Sequence, residues 1–97
     1  MDPIVEFVKK LALGEPTIRL VKLFGSRARG DHKPRSDYDF AISAPTMTQG
    51  GWARWKTNVQ ELAPTLCGLD LVWIEQLSDQ NLLGAIDREG VVIYEKN

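Results

Sequence analysis

The stretch GSRARGDHKPRSDYD, residues Gly25–Asp39, joins two apolar segments and decides how the rest of the chain is interpreted. It opens with a Gly-Ser pair, continues with arginines and a lysine, and ends on two aspartates separated by one residue. Guanidinium groups pair well with phosphates, and neighbouring carboxylates hold hard cations such as Mg²⁺. The order of cations before carboxylates therefore predicts a site that holds phosphate and metal at the same time.

The segments on either side of this stretch have the composition of β-strands. TIRLVKLFG, residues 17–25, is rich in branched and aromatic residues and stops at Gly25, and YDFAIS, residues 38–43, is the second apolar run. The polar segment between them contains Pro34. We expect most of it to be a loop, with a short helix near Ser26–Arg29.

The remainder of the chain alternates between helical and strand patterns. Apolar residues at helical spacing predict two longer helices, and a third helix is predicted from a capping residue and an apolar stripe. This dense alternation predicts the α/β (α+β) class, with a small sheet covered by helices in one domain over residues 1–97. The first predicted helix runs from Asp2-Pro3 to Gly14, and a flexible connection covers residues 46–51. A second helix runs from Trp52 to near Pro64, with Trp52 and Trp55 packed in the core. The remaining predicted elements are a strand over 69–75, a helix capped by Ser78 and ending near Arg88, and a strand over 91–95.

Composition excludes several classes of protein. The net charge is −1, so no overall basic field attracts nucleic acid or a membrane surface. One cysteine, Cys67, and one histidine, His32, cannot form an intrachain disulfide or a Cys/His zinc site. No apolar run has the length of a membrane span and no signal-peptide pattern is present, so a cytoplasmic protein is expected. A chain of 97 residues buries a small core, which favours a homo- or hetero-oligomer.

Gly25 and Ser26 are candidates for phosphate binding because they follow a strand directly. A glycine lets the backbone approach a phosphate closely, and the serine adds a hydroxyl donor. Arg27 and Arg29 add charge for a nucleotide. Gly25 and Gly30 also have the glycine spacing of a P-loop, but Asp31 and His32 stand where that motif requires Lys and Ser/Thr, so the P-loop is excluded.

Asp37 and Asp39 are candidate metal ligands. Positions two apart on a strand point to one face, so both carboxylates meet on the same side of the sheet. Asp70, in an otherwise apolar strand, is a third candidate, because phosphoryl-transfer sites often hold two metals with several carboxylates. Taken one by one, each aspartate also fits a turn or a sheet edge.

Together these residues resemble the nucleotidyltransferase superfamily that includes DNA polymerase β. The shared motif is Gly25-Ser26, ten residues, then Asp37-Tyr38-Asp39, and the surrounding KLFGSRARGDHKPRSDYDFAI closely resembles the minimal nucleotidyltransferases (MNT) paired with HEPN-domain toxins. The resemblance spans nearly the whole chain. It implies a polymerase-β-like fold with a mixed sheet, ATP or another NTP held by Gly25 and Ser26, and Mg²⁺, as two ions, held by Asp37, Asp39 and Asp70, with Asp70 also helping to activate the acceptor hydroxyl.

The resemblance also implies an activity and a partner. Some MNT antitoxins transfer AMP from ATP to a tyrosine of their HEPN toxin, and this silences the toxin. We expect another chain to bring the acceptor, since 97 residues leave no room for an acceptor domain. Two alternatives stay open: an antitoxin that masks its toxin by binding alone, and a nucleotidyltransferase that acts on a small metabolite.

Overall fold

The computed structural model describes residues 2–97, and its elements follow the predicted alternation of helices and strands. A small sheet with helices packed against it confirms the predicted fold class. In chain order the elements are α1 (Pro3–Leu13), β1 (Leu20–Phe24), α2 (Ser26–Arg29), β2 (Tyr38–Ser43), α3 (Gln49–Leu62), β3 (Leu69–Trp73), a 3₁₀ turn (Ile74–Gln76), α4 (Gln80–Glu89) and β4 (Val91–Glu95).

Within residues 2–97 the strands form one mixed sheet in the order β3-β2-β1-β4. β1 is antiparallel to both β2 and β4, whereas β2 and β3 are parallel. The register sets Phe24 opposite Asp39, and Asp39 opposite Asp70. The end of β1 and the starts of β2 and β3 therefore lie side by side at one end of the sheet.

The two faces of the sheet are covered by different helices. Alternate residues of β2, such as Phe40 and Ile42, pack into the larger core with Val8 of α1 and Val59 of α3. The opposite face carries a smaller cluster in which Phe24 and Ala41 pack against Ile86 of α4. Because side chains alternate along a strand, Asp39 lies on this second face, beside the smaller cluster.

Three predicted boundaries are wrong by a few residues. β1 begins at Leu20 and not at Thr17. α3 begins at Gln49, inside the predicted connection, because the Thr48 hydroxyl accepts a hydrogen bond from the Gly51 backbone N–H and caps the helix despite its two glycines. Asp79, not Ser78, caps α4, since its carboxylate accepts from two backbone N–H groups of the first turn.

The third predicted strand is also too long, because Ile74 and Glu75 belong to the 3₁₀ turn. The Glu75 carboxylate accepts hydrogen bonds from the Ser43 hydroxyl and from the Ala44 backbone N–H. These contacts stabilise the turn beside the end of β2, so the chain leaves the sheet after Trp73.

The tryptophans of α3 pack in the core, as predicted. The Trp55 side chain is 7% exposed, and its indole N–H donates to the Leu11 carbonyl. Trp52 stacks on Trp73 of β3 with 5.5 Å between ring centroids. Both rings tie α3 to neighbouring elements. Across residues 2–97, the helices are all too short or too polar to cross a bilayer.

Candidate active site

Asp39 and Asp70 are brought together by the parallel register of β2 and β3. Burial of the Asp39 carboxyl, followed by the like charges of Asp70 and Asp37, raises its pKa above the ordinary value. Like charges this close make the ionised pair unfavourable unless a cation lies between them. The arrangement therefore suits a site that gains from binding a positive ion.

Gly25 lies directly beside the Asp39 carboxylate. Its φ of 75° and ψ of −159° fall in a region that only glycine adopts readily. A Cβ at this position would collide with Asp39 Oδ2 and approach its Cγ to 3.1 Å. The glycine therefore provides both the backbone turn and the space next to the carboxylate.

Ser26 begins α2 immediately after this turn. The N–H groups in the first turn of a helix have no acceptor within the helix, and they point towards its N-terminal side. Phe24, which leads into this turn, is the register partner of Asp39. Gly25 therefore lies next to the Asp39 carboxylate, Ser26 begins the helix that follows, and their predicted role in phosphate binding stays a prediction.

Asp37 is held differently from the other two aspartates. Its carboxylate accepts a hydrogen bond of 3.1 Å from the Gly68 backbone N–H. Within the described part of the chain, no three His, Cys, Asp or Glu side chains converge closely enough to hold a metal ion as they stand. The structure thus brings Asp39 and Asp70 together and turns Asp37 towards Gly68, and the metal role of the three carboxylates stays a prediction.

The chemistry of these residues fits a divalent cation. Carboxylate oxygens are the ligands that Mg²⁺ prefers, and Mg²⁺ keeps several positions for water and substrate phosphates. Burial and then the negative charges of Asp70 and Asp37 raise the pKa of Asp39, and such a cation would offset those charges. Gly25 lets the backbone of the turn pack directly against the Asp39 carboxylate. Asp39 and Asp70 would hold the ion, and rotation of Asp37 away from Gly68 would add a third ligand.

Arg27 holds the segment between α2 and β2, residues 30–37, which we call the site loop. Its guanidinium donates to the Ser36 carbonyl at 3.1 and 3.0 Å and to the Pro34 carbonyl at 3.1 Å. It also lies 4.0 Å from the centre of the Tyr38 ring. These contacts fix the loop that leads into Asp37 and Asp39, and the predicted contact of Arg27 with nucleotide stays a prediction.

Tyr38 and Asp2 support the same region from the other face of the sheet. The Tyr38 hydroxyl donates to Asp2 at 2.7 Å, and Asp2 also caps α1 by accepting from the Ile4 and Val5 backbone N–H groups. Burial of the Tyr38 ring, then this hydrogen bond, raises the pKa of Tyr38 to about 12. The start of β2, which carries the aspartates, is thereby anchored to α1.

Arg29 lies at the exposed end of α2. It forms ion pairs with Asp31 at 3.1 Å and with Glu89 of α4 at 3.0 Å. The Asp31 and Glu89 carboxylates raise its pKa, so Arg29 stays charged. Its charge is close enough to favour ionisation of Asp39. The predicted role of Arg29 in nucleotide binding stays a prediction.

Sequence reasoning identified Asp2 as the cap of α1, but it did not identify the role of Gly68 or the pairing of Asp2 with Tyr38. Gly68 brings its N–H to Asp37, and a Cβ there would lie 2.8 Å from an Asp37 oxygen. Its position just before the third strand was the available signal. The pairing of Asp2 with Tyr38 joins residues 36 positions apart, and no local pattern reports such a contact.

The fold and the arrangement of its glycine and aspartates define a nucleotidyltransferase domain. The chain belongs to the polymerase β nucleotidyltransferase family, whose model, described as "Polymerase beta, Nucleotidyltransferase", matches residues 6–97. No curated protein matches the chain in sequence.

Solved structures that share this fold include two from toxin–antitoxin systems. A toxin–antitoxin crystal structure with AMP-PNP has a TM-score of 0.76 at 21% identity, over 96% of this chain and 74% of that chain. The crystal structure of the toxin–antitoxin MntA-HepT has a TM-score of 0.70 at 19% identity, over 96% of this chain and 71% of that chain. At these identities the similarity establishes the fold, and it confirms the predicted polymerase-β-like architecture.

Proposed function

We propose that this chain is a Mg²⁺-dependent nucleotidyltransferase that moves AMP from ATP to a tyrosine hydroxyl of a HEPN-domain toxin and thereby acts as its antitoxin. The observation that carries the proposal is the alignment of Phe24, Asp39 and Asp70 across three strands. This register places the Gly25-Ser26 turn and two acidic side chains at one end of the sheet. A phosphate and its metal can be held there together.

The nucleotide is held on the β1 side of the site. The backbone around Gly25 and the hydroxyl of Ser26 offer hydrogen-bond donors to the β- and γ-phosphates. Arg29, fixed by Asp31 and Glu89, adds positive charge nearby. The absence of a side chain on Gly25 lets the backbone of this turn lie directly against the Asp39 carboxylate, so the backbone donors and the acidic side chain are close together.

Asp39 and Asp70 would hold the metal, with Asp37 as the third ligand. Mg²⁺ offsets charge on the phosphates and orients them for displacement when it is bound. The three carboxylates make the site negatively charged. The Gly68 N–H holds Asp37 on the β3 side, and rotation of Asp37 away from Gly68 would bring it to the metal. Without a bound ion, burial and the neighbouring charges keep the pKa of Asp39 raised.

The transfer is a displacement at the α-phosphorus of ATP. The acceptor hydroxyl oxygen forms a new bond to that phosphorus, and the bond from the phosphorus to the oxygen bridging to the β-phosphate breaks. Pyrophosphate leaves with that oxygen. Asp70, on the β3 side and exposed, accepts the hydroxyl proton and passes it to water.

The choice of partner rests on structural similarity. The two structures described above are toxin–antitoxin complexes, and one contains the nucleotide analogue AMP-PNP. Both share the fold over 96% of this chain. A domain of this fold thus occurs beside a toxin and a nucleotide, which supports a toxin as the acceptor and an NTP as the donor.

Intact-mass spectrometry of the HEPN-domain partner tests the proposal. The partner is incubated with this chain, ATP and Mg²⁺, and Asp39→Asn and Asp70→Asn serve as controls. A gain of one or more AMP units with the wild type alone supports the proposal, and fragmentation identifies the modified residue. A stable complex that neutralises the toxin with no mass gain overturns transfer and establishes masking by binding.

A further inference from the structure

A cleft of about 470 Å³ opens beside Asp37, on the far side of the site from Gly25. This volume lies in the range of small-ligand and side-chain pockets. Asp37, one of the three candidate metal ligands, belongs to its wall, so the cleft adjoins the candidate active site at this residue. The cleft is lined by Pro34, Arg35, Asp37, Leu66, Cys67 and Gly68.

Leu66 forms the outer edge of this cleft and is 99% exposed. It lies in a turn over residues 63–68, the Leu66 turn, that is fixed by several contacts. The Thr65 N–H donates to the Ala63 carbonyl at 2.8 Å, and the Cys67 N–H donates to the Thr65 hydroxyl at 3.0 Å. The Cys67 sulfur also lies 3.8 Å from Arg27. The leucine is therefore held in solvent by its own turn.

An apolar side chain presented in this way favours contact with another molecule. A fully exposed leucine keeps its apolar surface in water, and contact with a partner would remove that surface from water. Arg35, exposed on the same cleft, carries a positive charge that no ion pair offsets within residues 2–97. The cleft thus offers one apolar contact and one cationic contact next to a catalytic carboxylate.

The sheet order determines which substrate reaches this cleft. Gly25 and Ser26 follow β1, whereas the Leu66 turn leads into β3, and β2 with Asp39 lies between them. In phosphoryl transfer the attacking oxygen and the leaving group lie on opposite sides of the phosphorus. Since the leaving pyrophosphate is held on the β1 side, the attacking hydroxyl enters from the β3 side, where the cleft lies.

We propose that this cleft is the acceptor subsite, and that it binds a partner-protein segment whose acceptor hydroxyl is flanked by an apolar residue and an acidic residue. The apolar residue packs on Leu66, and the acidic residue pairs with Arg35. The inference rests on the proposed function, because it specifies how the acceptor of that reaction is recognised. It assigns to Leu66 and Arg35 a role in acceptor selection that is separate from nucleotide binding.

The test is steady-state AMP transfer at varied concentrations of the HEPN-domain partner, with Leu66→Ser and Arg35→Glu. The matched controls are Leu13→Ser, since Leu13 of α1 is also exposed at 64%, and Lys9→Glu, since Lys9 is an exposed cation of α1. Calorimetric titration with ATP and Mg²⁺ is run on each variant. We expect Leu66→Ser and Arg35→Glu to lower kcat/KM for the acceptor at least tenfold, and Leu66→Ser to bind ATP as the wild type does.

The outcomes separate this inference from the proposed function. If the wild type transfers AMP and both cleft variants match their α1 controls, the acceptor subsite is overturned and the transferase proposal stands. If the cleft variants lose ATP affinity in parallel with transfer, the cleft is a nucleotide site and the inference is again wrong. If the wild type transfers nothing to any partner protein, both proposals fail together.

Discussion

Asp39 of β2 lies directly opposite Asp70 of β3 in the parallel pair, and Phe24 of β1 lies opposite Asp39 on its other side. This row of three places an acid on each of two neighbouring strands and a glycine turn at the end of the third. Two acids in register repel each other, and the pKa of Asp39 is raised as a result of burial and of this repulsion. The fold therefore maintains a charge arrangement that disfavours the metal-free state.

Replacing one of these acids should affect stability in opposite directions with and without Mg²⁺. In metal-free buffer, Asp70→Asn removes a like charge opposite Asp39 and should raise the free energy of unfolding by roughly 0.2–1 kcal/mol. With Mg²⁺ and ATP, the wild type should become the more stable protein, because ligand binding stabilises the folded state. Urea unfolding of the wild type and of Asp70→Asn, with EDTA and with Mg²⁺-ATP, measures the free energy of unfolding in each condition.

Asp79→Asn provides a control for the loss of one carboxylate far from the site, since it retains a capping side chain on α4. A wild-type protein that gains no stability from Mg²⁺-ATP, or an Asp70→Asn protein that gains as much, would contradict a role for Asp70 in metal binding.

Gly25 and Gly30 provide a matched pair for testing the glycine turn. Both have positive φ, but an alanine Cβ at Gly25 would strike the Asp39 carboxylate, whereas at Gly30 it would have no heavy atom of the described residues within 4 Å. Gly25→Ala should cost about 1–3 kcal/mol or more and abolish ATP binding. Gly30→Ala should cost about 1–2 kcal/mol through backbone strain and retain binding.

Thermal unfolding and calorimetric ATP titration of the two alanine variants measure these effects. Normal ATP affinity in Gly25→Ala would show that the close approach of Gly25 to Asp39 has no part in the nucleotide site. Equal losses of stability and of ATP affinity in Gly25→Ala and Gly30→Ala would show that backbone strain alone causes them.

The order of elements and the motif could be predicted because local signals carry them. Branched residues before Gly25, the Asp2-Pro3 helix start and the spacing of Trp52, Trp55 and Val59 are all read from neighbouring residues. The polymerase-β-like fold was implied by the resemblance of the Gly25-Ser26 and Asp37-Tyr38-Asp39 motif to the nucleotidyltransferase superfamily, and the family match over residues 6–97 confirms it.

The errors lie where a distant or specific side-chain contact decides the backbone. Glu75 leaves the strand because it binds Ser43 and Ala44, which lie more than thirty residues earlier. The contacts of the Arg27 guanidinium with the carbonyls of the site loop are also specific side-chain contacts that no local pattern reports, and its predicted contact with nucleotide stays a prediction. The sheet order likewise depends on pairings between distant segments that periodicity does not encode.

Asp2 should make stability depend on pH in the acidic range. Burial opposes its ionisation, but hydrogen bonds from Tyr38 and from the Ile4 and Val5 N–H groups outweigh burial and hold the pKa of Asp2 below 3.8. A lowered carboxyl pKa gives stability that is complete above about pH 4 and is lost as the pH falls through the folded-state pKa. Asp2→Asn, which keeps a capping side chain, should flatten that part of the curve.

Urea unfolding between pH 2 and 6 compares the stability of the wild type with that of Asp2→Asn. Asp2→Ala removes the cap as well and should lose about 1 kcal/mol at neutral pH. Wild type and Asp2→Asn with the same slope below pH 4 would mean that Asp2 contributes nothing to the acid sensitivity of this fold.

Arg27 should affect stability before it affects nucleotide binding. Its guanidinium bridges the Ser36 and Pro34 carbonyls over the Tyr38 ring, so Arg27→Met leaves these carbonyls without their charged donor. We expect a loss of about 1–3 kcal/mol in the absence of ligand. Arg27→Lys should restore little, because a single ammonium does not reproduce the fork of donors. Weaker Mg²⁺ binding should follow, since the loop positions Asp37 and Asp39.

Arg29→Met is the control, because Arg29 lies in the same short helix and makes only exposed ion pairs, which contribute little to stability. Urea unfolding without ligand and ATP titration with Mg²⁺ separate two roles. If the Arg27→Met variant is as stable as the wild type without ligand but binds ATP more weakly, Arg27 contacts the nucleotide, as the motif alone suggests. Loss of stability in Arg27→Met and not in Arg29→Met would establish Arg27 as the residue that fixes the site loop.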